Sequence, residues 1–211
     1  MGNGGLNNVI LRDAIPADHD AIVAISTITQ HEHEARLPDI FLPGSDHEMP
    51  DTFAAALANL PRIDDAPFAR LIVACQNDHV IGHALMLFCQ TATAPDLYDL
   101  QCHIHDLSVH PDFRGRGIGT ALMAKALDVS REEGATDLQG YVWQGNAASK
   151  QLFAKAHFVP AATLFSKRLG APLRRSTPLS ARTDQAAAPS RDLLIILGIV
   201  VAILVTARLI L

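Results

Sequence analysis

The segment of residues 107–120, Leu-Ser-Val-His-Pro-Asp-Phe-Arg-Gly-Arg-Gly-Ile-Gly-Thr, constrains the fold of this chain more than any other part of the sequence. A short apolar strand over about 102–109 leads into it. That strand stops at His110-Pro111, because proline has no N–H for a sheet and disfavours helix in the residue before it. A helical run over 120–133 follows the glycines. The segment therefore predicts a strand, a glycine loop and a helix in immediate succession.

The loop from Arg114 to Gly119 is suited to binding an anion. Its glycines permit positive φ angles and a close approach of the backbone to a ligand. Free backbone N–H groups and the positive end of the helix dipole converge where the loop meets the helix. A phosphate or pyrophosphate is the natural ligand of such a site.

The details of the loop separate it from two common nucleotide-binding motifs. A P-loop would need Gly-Lys-Ser/Thr after its second glycine, and this chain has none there. A dinucleotide fold would place the loop directly after a strand near the start of a βαβ unit. The spacing Arg114-x-x-Gly117-x-Gly119 instead resembles the acetyl-coenzyme A loop of the GNAT superfamily of N-acetyltransferases. Asn146, which opens the helical run 146–153, and His157-Phe158, where that family usually has Gly-Phe, extend the resemblance.

The resemblance implies an α+β fold, a mixed and mostly antiparallel sheet with helices on both faces, in a domain over residues 1–170. The patterns of apolar residues predict its elements in the same order. The expected strands cover 9–12, 69–75, 80–90, 102–109, 138–143 and 162–168. The first expected helix begins at Pro16, and the other three cover 51–60, 120–133 and 146–156. Polar loops are expected over 31–50 and 91–97.

The same resemblance implies that acetyl-CoA is the co-substrate and that no metal is required. Leu107, Ser108 and Val109 would contact the pantetheine arm, with the Val109 N–H as the candidate oxyanion donor. The pyrophosphate would be bound by the loop residues Arg114, Gly115, Arg116, Gly117, Ile118, Gly119 and Thr120. Asn146 would cap its helix and contact the cofactor. Arg116 could equally be an exposed residue that only aids solubility.

Candidate general bases lie on the strand before the loop. Regular alternation puts His103, His105 and Leu107 on one face and Asp106 on the other. Two histidines just upstream of the thioester position resemble the paired histidines of arylalkylamine N-acetyltransferases, and imidazole titrates near physiological pH. His103 and His105 are therefore the first candidates and Asp106 a competing one. The alternative is that the histidines only pack in a polar channel wall.

One position departs from the family pattern. The helix after Asn146 commonly carries a tyrosine that protonates the leaving thiolate, and here the residue is Phe153. Phe153 could still pack on the cofactor arm. Its lack of a hydroxyl leaves open a weakly active or inactive protein that only binds acyl-CoA.

The resemblance also implies that the segment 31–50, after the first helix, forms the acceptor pocket, and we expect specificity to depend on the loops 31–62 and 90–101. His31-Glu32-His33-Glu34 is not the HExxH zinc motif, so we favour a solvated loop over a metal site. Its carboxylates, those of Glu32, Glu34, Asp39 and Glu48, could attract a cationic amine. Residues 1–170 carry 12 Lys and Arg against 20 Asp and Glu, which argues against a nucleic-acid partner. We expect Trp143 to pack beside the helix that starts at Asn146.

The three cysteines, Cys75, Cys89 and Cys102, lie in apolar runs without CxxC spacing. They are expected to be reduced, buried thiols. With no cysteine placed as a nucleophile, we expect direct attack of a small primary amine on acetyl-CoA in a ternary complex. The alternatives are acetylation of a protein N-terminus or lysine, and an acyl-CoA sensor.

The residues 193–211, LLIILGIVVAILVTARLIL, contain one charged residue, Arg208. A helix of this length roughly matches a bilayer core, so the pattern predicts a transmembrane helix. The preceding 171–192, rich in Ala, Pro, Ser and Arg, is expected to be a flexible linker. Its arginines favour a single-pass protein whose catalytic domain faces the cytoplasm.

Overall fold

The computed structural model describes residues 8–41, 49–58, 69–94 and 97–165. The strands are β1 (Val9–Asp13), β2 (Ala69–Gln76), β3 (His79–Ala94), β4 (Leu97–Val109) and β5 (Asp137–Gly140). The helices are α1 (His19–Arg36), α2 (Met49–Ala58), α3 (Ile118–Glu132) and α4 (Ala147–Lys155). Short 3-10 turns, Pro16–Asp18 and Pro111–Phe113, precede α1 and the glycine loop.

The five strands form one sheet in the order β1-β2-β3-β4-β5. β1 with β2 and β2 with β3 are antiparallel, whereas β4 and β5 are parallel. β3 and β4 run in opposite directions, since His110 N donates to Ile81 O while His83 contacts Asp106. The expectation of a mixed, mostly antiparallel sheet is confirmed.

Helices cover both faces of this sheet, as the alternating side chains of β2 require. Leu71 and Val73 face a core that contains Ile22 of α1 and Phe53 of α2. Ile72 and Ala74, the intervening residues, face a second core with Ile118, Leu122 and Ala126 of α3. The layered arrangement fixes β4 between α1 on one side and α3 on the other.

α1 is longer than expected, because residues 31–36 continue the helix instead of forming a loop. Glu32 and Arg36 form an ion pair one helical turn apart at 3.1 Å, which stabilises the last turn. Leu37, the residue before Pro38, leaves the helical region with φ −135° and ψ 61°. The expectation of a polar loop at 31–36 was wrong, and proline sets the boundary.

Other element boundaries differ at their ends. β3 and β4 extend through 91–94 and 97–100, where a loop was expected. β5 ends at Gly140 instead of 143. The expected last strand is wrong over 162–165, which have no regular structure, and its remainder lies outside the described residues.

The chain divides into two compact units. The first, residues 1–90 and 99–169, contains every helix described above. The second comprises 91–98 and 170–211, of which the structure describes the strand residues 91–94 and 97–98. Among the residues described, no helix is long and apolar enough to cross a bilayer. The expected linker and transmembrane helix, 171–192 and 193–211, lie outside that part of the chain.

Candidate functional site

β4 and β5 separate at one point of the sheet. Their pairing starts at Gln101 with Asp137 and ends at Ile104 with Gly140, while β4 continues to Val109. His110 N–H points to β3, so alternation directs the N–H of Val109 to the opposite, open edge. A ligand that enters between the two strands would meet this edge of β4.

The glycine loop provides an open anion site beside that edge. Gly115 and Gly117 have φ angles of 75° and 85°, and no other atom lies within 4 Å of a Cβ built on Gly115. Ala121 N donates to Gly117 O as the first α-helical bond, so the N–H groups of 118–120 have no partner within the helix. The Ile118 side chain is buried in the α3 core and fixes the start of this helix against the sheet.

Both loop arginines have protein partners. Arg114 donates through Nε to Val109 O at 2.9 Å and through Nη1 to Glu32 Oε1 of α1 at 2.6 Å. Arg116 donates to Asp112 O at 2.7 Å, and its guanidinium lies 5.2 Å from the centre of the Phe113 ring. The ion pair of Arg114 therefore connects the loop to α1.

α4 begins as expected. Asn146 is its N-cap, with Oδ1 accepting from Ser149 N at 3.1 Å. His157 follows the helix with a φ of 63°, a left-handed conformation that explains why glycine is usual there. The Phe153 ring packs against Phe158 and covers Gly140, where a Cβ would come within 2.6 Å of the ring. Phe153 thus lies where β4 and β5 separate.

A small cavity of about 100 Å³ lies between α1, β4 and the segment after β5. Helix α1 contributes Ser26, Thr29, Gln30 and His33 to its lining, β4 contributes His105 and Asp106, and Trp143 completes it. The Phe41 ring contacts both His33, at 5.5 Å, and Trp143, at 4.7 Å between centroids. The cavity therefore combines polar side chains with an aromatic wall.

Asp106 is fixed by three hydrogen bonds. Its carboxylate accepts from Ser26 Oγ at 2.8 Å, Ser108 Oγ at 2.7 Å and His83 Nε2 at 2.9 Å. The His83 side chain is fully buried and that of Asp106 is 13% exposed. Burial raises the pKa of Asp106, but the electrostatic interaction with His83 and these three hydrogen bonds outweigh it and hold the pKa far below its usual range. Asp106 is therefore ionised at neutral pH and poorly suited to accept a proton.

The imidazoles near the cavity, unlike the Asp106 carboxylate, are suited to accept a proton. Desolvation lowers the pKa of His103, and neighbouring His105 lowers it further. The surface of His105 is exposed, yet partial desolvation still lowers its pKa, against the opposing effect of Asp106. Burial and Arg36 lower the pKa of His33, whose Nε2 has no hydrogen-bond partner among the described residues. All three rings are thus predominantly neutral at pH 7 and available as proton acceptors.

The expected alternation of side chains along β4 was wrong at His105 and Asp106. Successive residues His105 and Asp106 both line the cavity, instead of pointing to opposite faces. Leu107, expected on the face of the histidines, packs with Val109 against the α3 core. Cys102, which regular alternation would place on the opposite face from Leu107, packs against the same core. A shift of this kind is what a β-bulge produces. This break in alternation brings two of the candidate bases, His105 and Asp106, to one cavity.

The sequence reasoning missed Ser26 and His83. Their only signal was a polar residue in an otherwise apolar segment: His83 lies within the buried run 81–89, and Ser26 is buried next to Ile25. Trp143 contacts Phe41 and lines the cavity, where packing beside α4 alone was expected. Within the described ranges, no cluster of three or more His, Cys, Asp or Glu side chains is placed to bind a metal.

The three cysteines are free and buried, as expected. Burial raises the pKa of each thiol, and that of Cys102 to about 11. Such thiols remain protonated near neutral pH and are poor nucleophiles.

Comparison with known proteins identifies relatives of this chain. A family model described as the acetyltransferase (GNAT) family matches residues 30–158. An uncharacterised N-acetyltransferase of Methanocaldococcus jannaschii is 38% identical over 55 residues, 26% of this chain and 24% of that protein. A mycothiol acetyltransferase of Beutenbergia cavernae is 33% identical over 84 residues, 40% of this chain and 28% of that protein. The matches thus span about a quarter of each curated relative.

Solved structures share the fold over most of the chain. A mutant of the BH1408 protein of Bacillus halodurans superposes with a TM-score of 0.66 at 18% identity, covering 76% of this chain and 99% of that one. A protein of Clostridium acetobutylicum, described as a predicted acetyltransferase with acetyl-CoA, gives a TM-score of 0.57 at 17% identity, covering 76% and 96%. At these identities the likeness concerns the fold alone.

Proposed function

The chain belongs to the GNAT acetyltransferase family, and from this premise we propose that it transfers the acetyl group of acetyl-CoA to a small primary amine. The observation that carries the proposal is the arrangement of the open β4 edge, the glycine loop and the cavity around a single strand. In this arrangement an acyl donor and an acceptor would meet at residues 105–109.

The described residues fit acetyl-CoA. The gap where β4 and β5 separate suits an extended pantetheine arm, and the N–H groups of 118–120 with the loop glycines suit a pyrophosphate. Leu107, Ser108 and Val109 would contribute through their backbone, because the side chains of Leu107 and Val109 pack in the α3 core and that of Ser108 bonds Asp106. Thr120 is exposed at the start of α3 and Asn146 starts α4, so both are available to the cofactor.

When bound, acetyl-CoA would supply an activated acetyl thioester. The Val109 N–H would donate to the acetyl carbonyl oxygen as negative charge develops on it. His105, neutral and beside the cavity, would accept the proton of the amine directly or through water, with His103 as its neighbour in a relay. The inert thiols leave direct attack in a ternary complex as the simplest course.

The size of the cavity favours a small acceptor. At about 100 Å³ it has room for a short alkylamine but not for a folded protein surface. Acetylation of a protein N-terminus or lysine would have to present a single extended side chain or terminus to it. We therefore place small primary amines first.

Phe153 supports a second candidate, an acyl-CoA-binding sensor with little catalysis. Its ring has no acidic proton and packs on Gly140 and Phe158. If the protein is an enzyme, coenzyme A leaves as a thiolate or takes its proton from water. The two candidates differ in turnover, not in cofactor binding.

We also propose that residues 193–211 anchor the domain to a membrane through the linker 171–192, with the domain facing the cytoplasm. The support is the uninterrupted apolar sequence and the arginines that precede it. Such an anchor would confine acetylation to the vicinity of the bilayer.

The test of the proposed function is coenzyme A release by the full chain, with acetyl-CoA and a panel of alkylamines, polyamines, amino acids and peptides. Release that depends on a small amine supports the enzyme, and release with peptides alone supports the protein-directed alternative. Cofactor binding without acceptor-dependent release supports the sensor.

A further inference from the structure

Asp106 occupies an unusual position for a carboxylate in a cleft where protons are transferred. It lies next to His105 in sequence and faces the same cavity, yet three donors hold it ionised. A carboxylate that stays charged contributes a fixed negative charge instead of taking up protons. Asp106 is therefore suited to bind a cation and not to transfer a proton.

Asp106 also differs in charge from the other residues that line the cavity. Of the seven residues that line it, Asp106 is the one with a carboxylate, and His33 and His105 are neutral at pH 7. Glu32, one of the expected acidic attractants, pairs with Arg114 and Arg36 and is not part of this lining, and Glu48 lies outside the described residues. Among the described lining residues, the anion that an entering cation meets is thus Asp106 of β4.

The other side chains around the cavity suit the alkyl part of a small alkylammonium ion. Ser26 and His83 hold the carboxylate from α1 and β3, so its position does not depend on a ligand. Trp143 and the Phe41 ring against it provide an aromatic surface, which attracts cations and packs with alkyl groups. A pre-organised anion with an aromatic wall is a common solution for binding alkylammonium ions.

We infer that Asp106 is the ammonium-binding group of this cavity and that it selects a compact, positively charged amine as the acceptor. This inference rests on the proposed function for the fate of the amine, but not for its binding. An ammonium nitrogen bonded to Asp106 lies beside His105, the neighbouring residue. Recognition of the protonated amine and removal of its proton thereby fall to two successive residues on one strand.

Binding of propylammonium to the full chain, without acetyl-CoA, tests the inference by calorimetric or NMR titration. 1-Propanol, of similar size and uncharged, measures the contribution of the charge. We expect Asp106→Asn to weaken propylammonium binding at least tenfold, about 1.4 kcal/mol, towards the affinity for 1-propanol. The matched control, Asp20→Asn, removes a fully exposed carboxylate of α1 and should change neither affinity.

A second variant keeps the test independent of the folding of Asp106→Asn. Thr29→Leu places bulk in the cavity from α1 without touching the hydrogen bonds of Asp106, and we expect it to abolish propylammonium binding. Equal propylammonium affinity of wild type and Asp106→Asn, or of wild type and Thr29→Leu, overturns the inference. Propylammonium binding that depends on Asp106, in a protein that releases no coenzyme A, refutes the proposed function and leaves the inference standing.

Discussion

At the residue scale, the site depends on a division of roles between His105 and Asp106. The sequence alone could identify both as candidate bases, because histidine and aspartate on a strand before the glycine loop are evident by inspection. It could not place them in one cavity, since the break in alternation between them depends on how β4 packs against β3 and α3. Nor could it reveal His83, whose partner is 23 residues away.

The histidines predict a definite pH dependence. The pKa values of His103 and His105 are lowered from the ordinary 6.5, so the neutral base forms at a pH below that value. The acetylation rate should rise with pH through this acidic region and then level off. We expect a double substitution of His103 and His105 to Gln to lower the rate about 100-fold or more and to remove the rise. An unchanged pH–rate profile would show that neither ring acts as the base.

His83 predicts a large effect on stability. Its ring is fully buried, contacts the Phe53 ring at 5.2 Å and donates to Asp106. His83→Ala leaves a cavity and a buried carboxylate without its partner, which should lower the free energy of unfolding by about 3–5 kcal/mol. Urea denaturation measures this change. His79→Ala, at an exposed position of the same strand, should change it by less than about 0.5 kcal/mol, and similar losses for both variants would contradict a structural role specific to His83.

At the element scale, the separation of β4 from β5 organises the site. Apolar periodicity and turn residues were sufficient to find the strands and helices of the described ranges, because most contain buried apolar residues or have a clear boundary such as Pro111 or Asn146. The end of α1 was misjudged because its last two turns are polar and stabilised by ion pairs to Arg36 and Arg114. A charged helix end of this kind has the composition of a loop.

The contact of Gly140 with Phe153 predicts a steric effect at the point of separation. Gly140→Ala brings a Cβ within 2.6 Å of the ring, so Phe153 or β5 must shift. We expect a loss of about 1–3 kcal/mol in the free energy of unfolding, measured by urea denaturation. The loss should shrink when Phe153→Ala is the background, because the obstructing ring is gone.

The matched control for Gly140 is Gly119→Ala. A Cβ on Gly119 meets its nearest atom, in Leu152, at 3.7 Å, which is ordinary contact, and helix propensity favours alanine. This variant should be as stable as wild type or slightly more so. Equal destabilisation by Gly119→Ala and Gly140→Ala would contradict the steric explanation.

At the scale of the whole molecule, an acidic acetyltransferase domain is followed in the chain by an apolar segment at 193–211. Hydropathy identifies that segment without any tertiary information, which is why the sequence alone suffices to propose an anchor. The proposed anchor predicts that the full chain sediments with membranes and that a version ending at Gly170 does not. Recovery of both forms in the supernatant after ultracentrifugation would rule out the anchor.

The central claim is the transfer of an acetyl group to a small amine, and the most direct measurement follows the acetyl group itself. The full chain would be incubated with acetyl-CoA labelled with ¹³C in the acetyl group and with a short primary alkylamine. Mass spectrometry should then detect the labelled N-acetyl amine in the wild-type reaction, and far less of it with the His103 and His105 double variant. Acetyl-CoA that binds but yields no labelled amide with any small amine would contradict the claim.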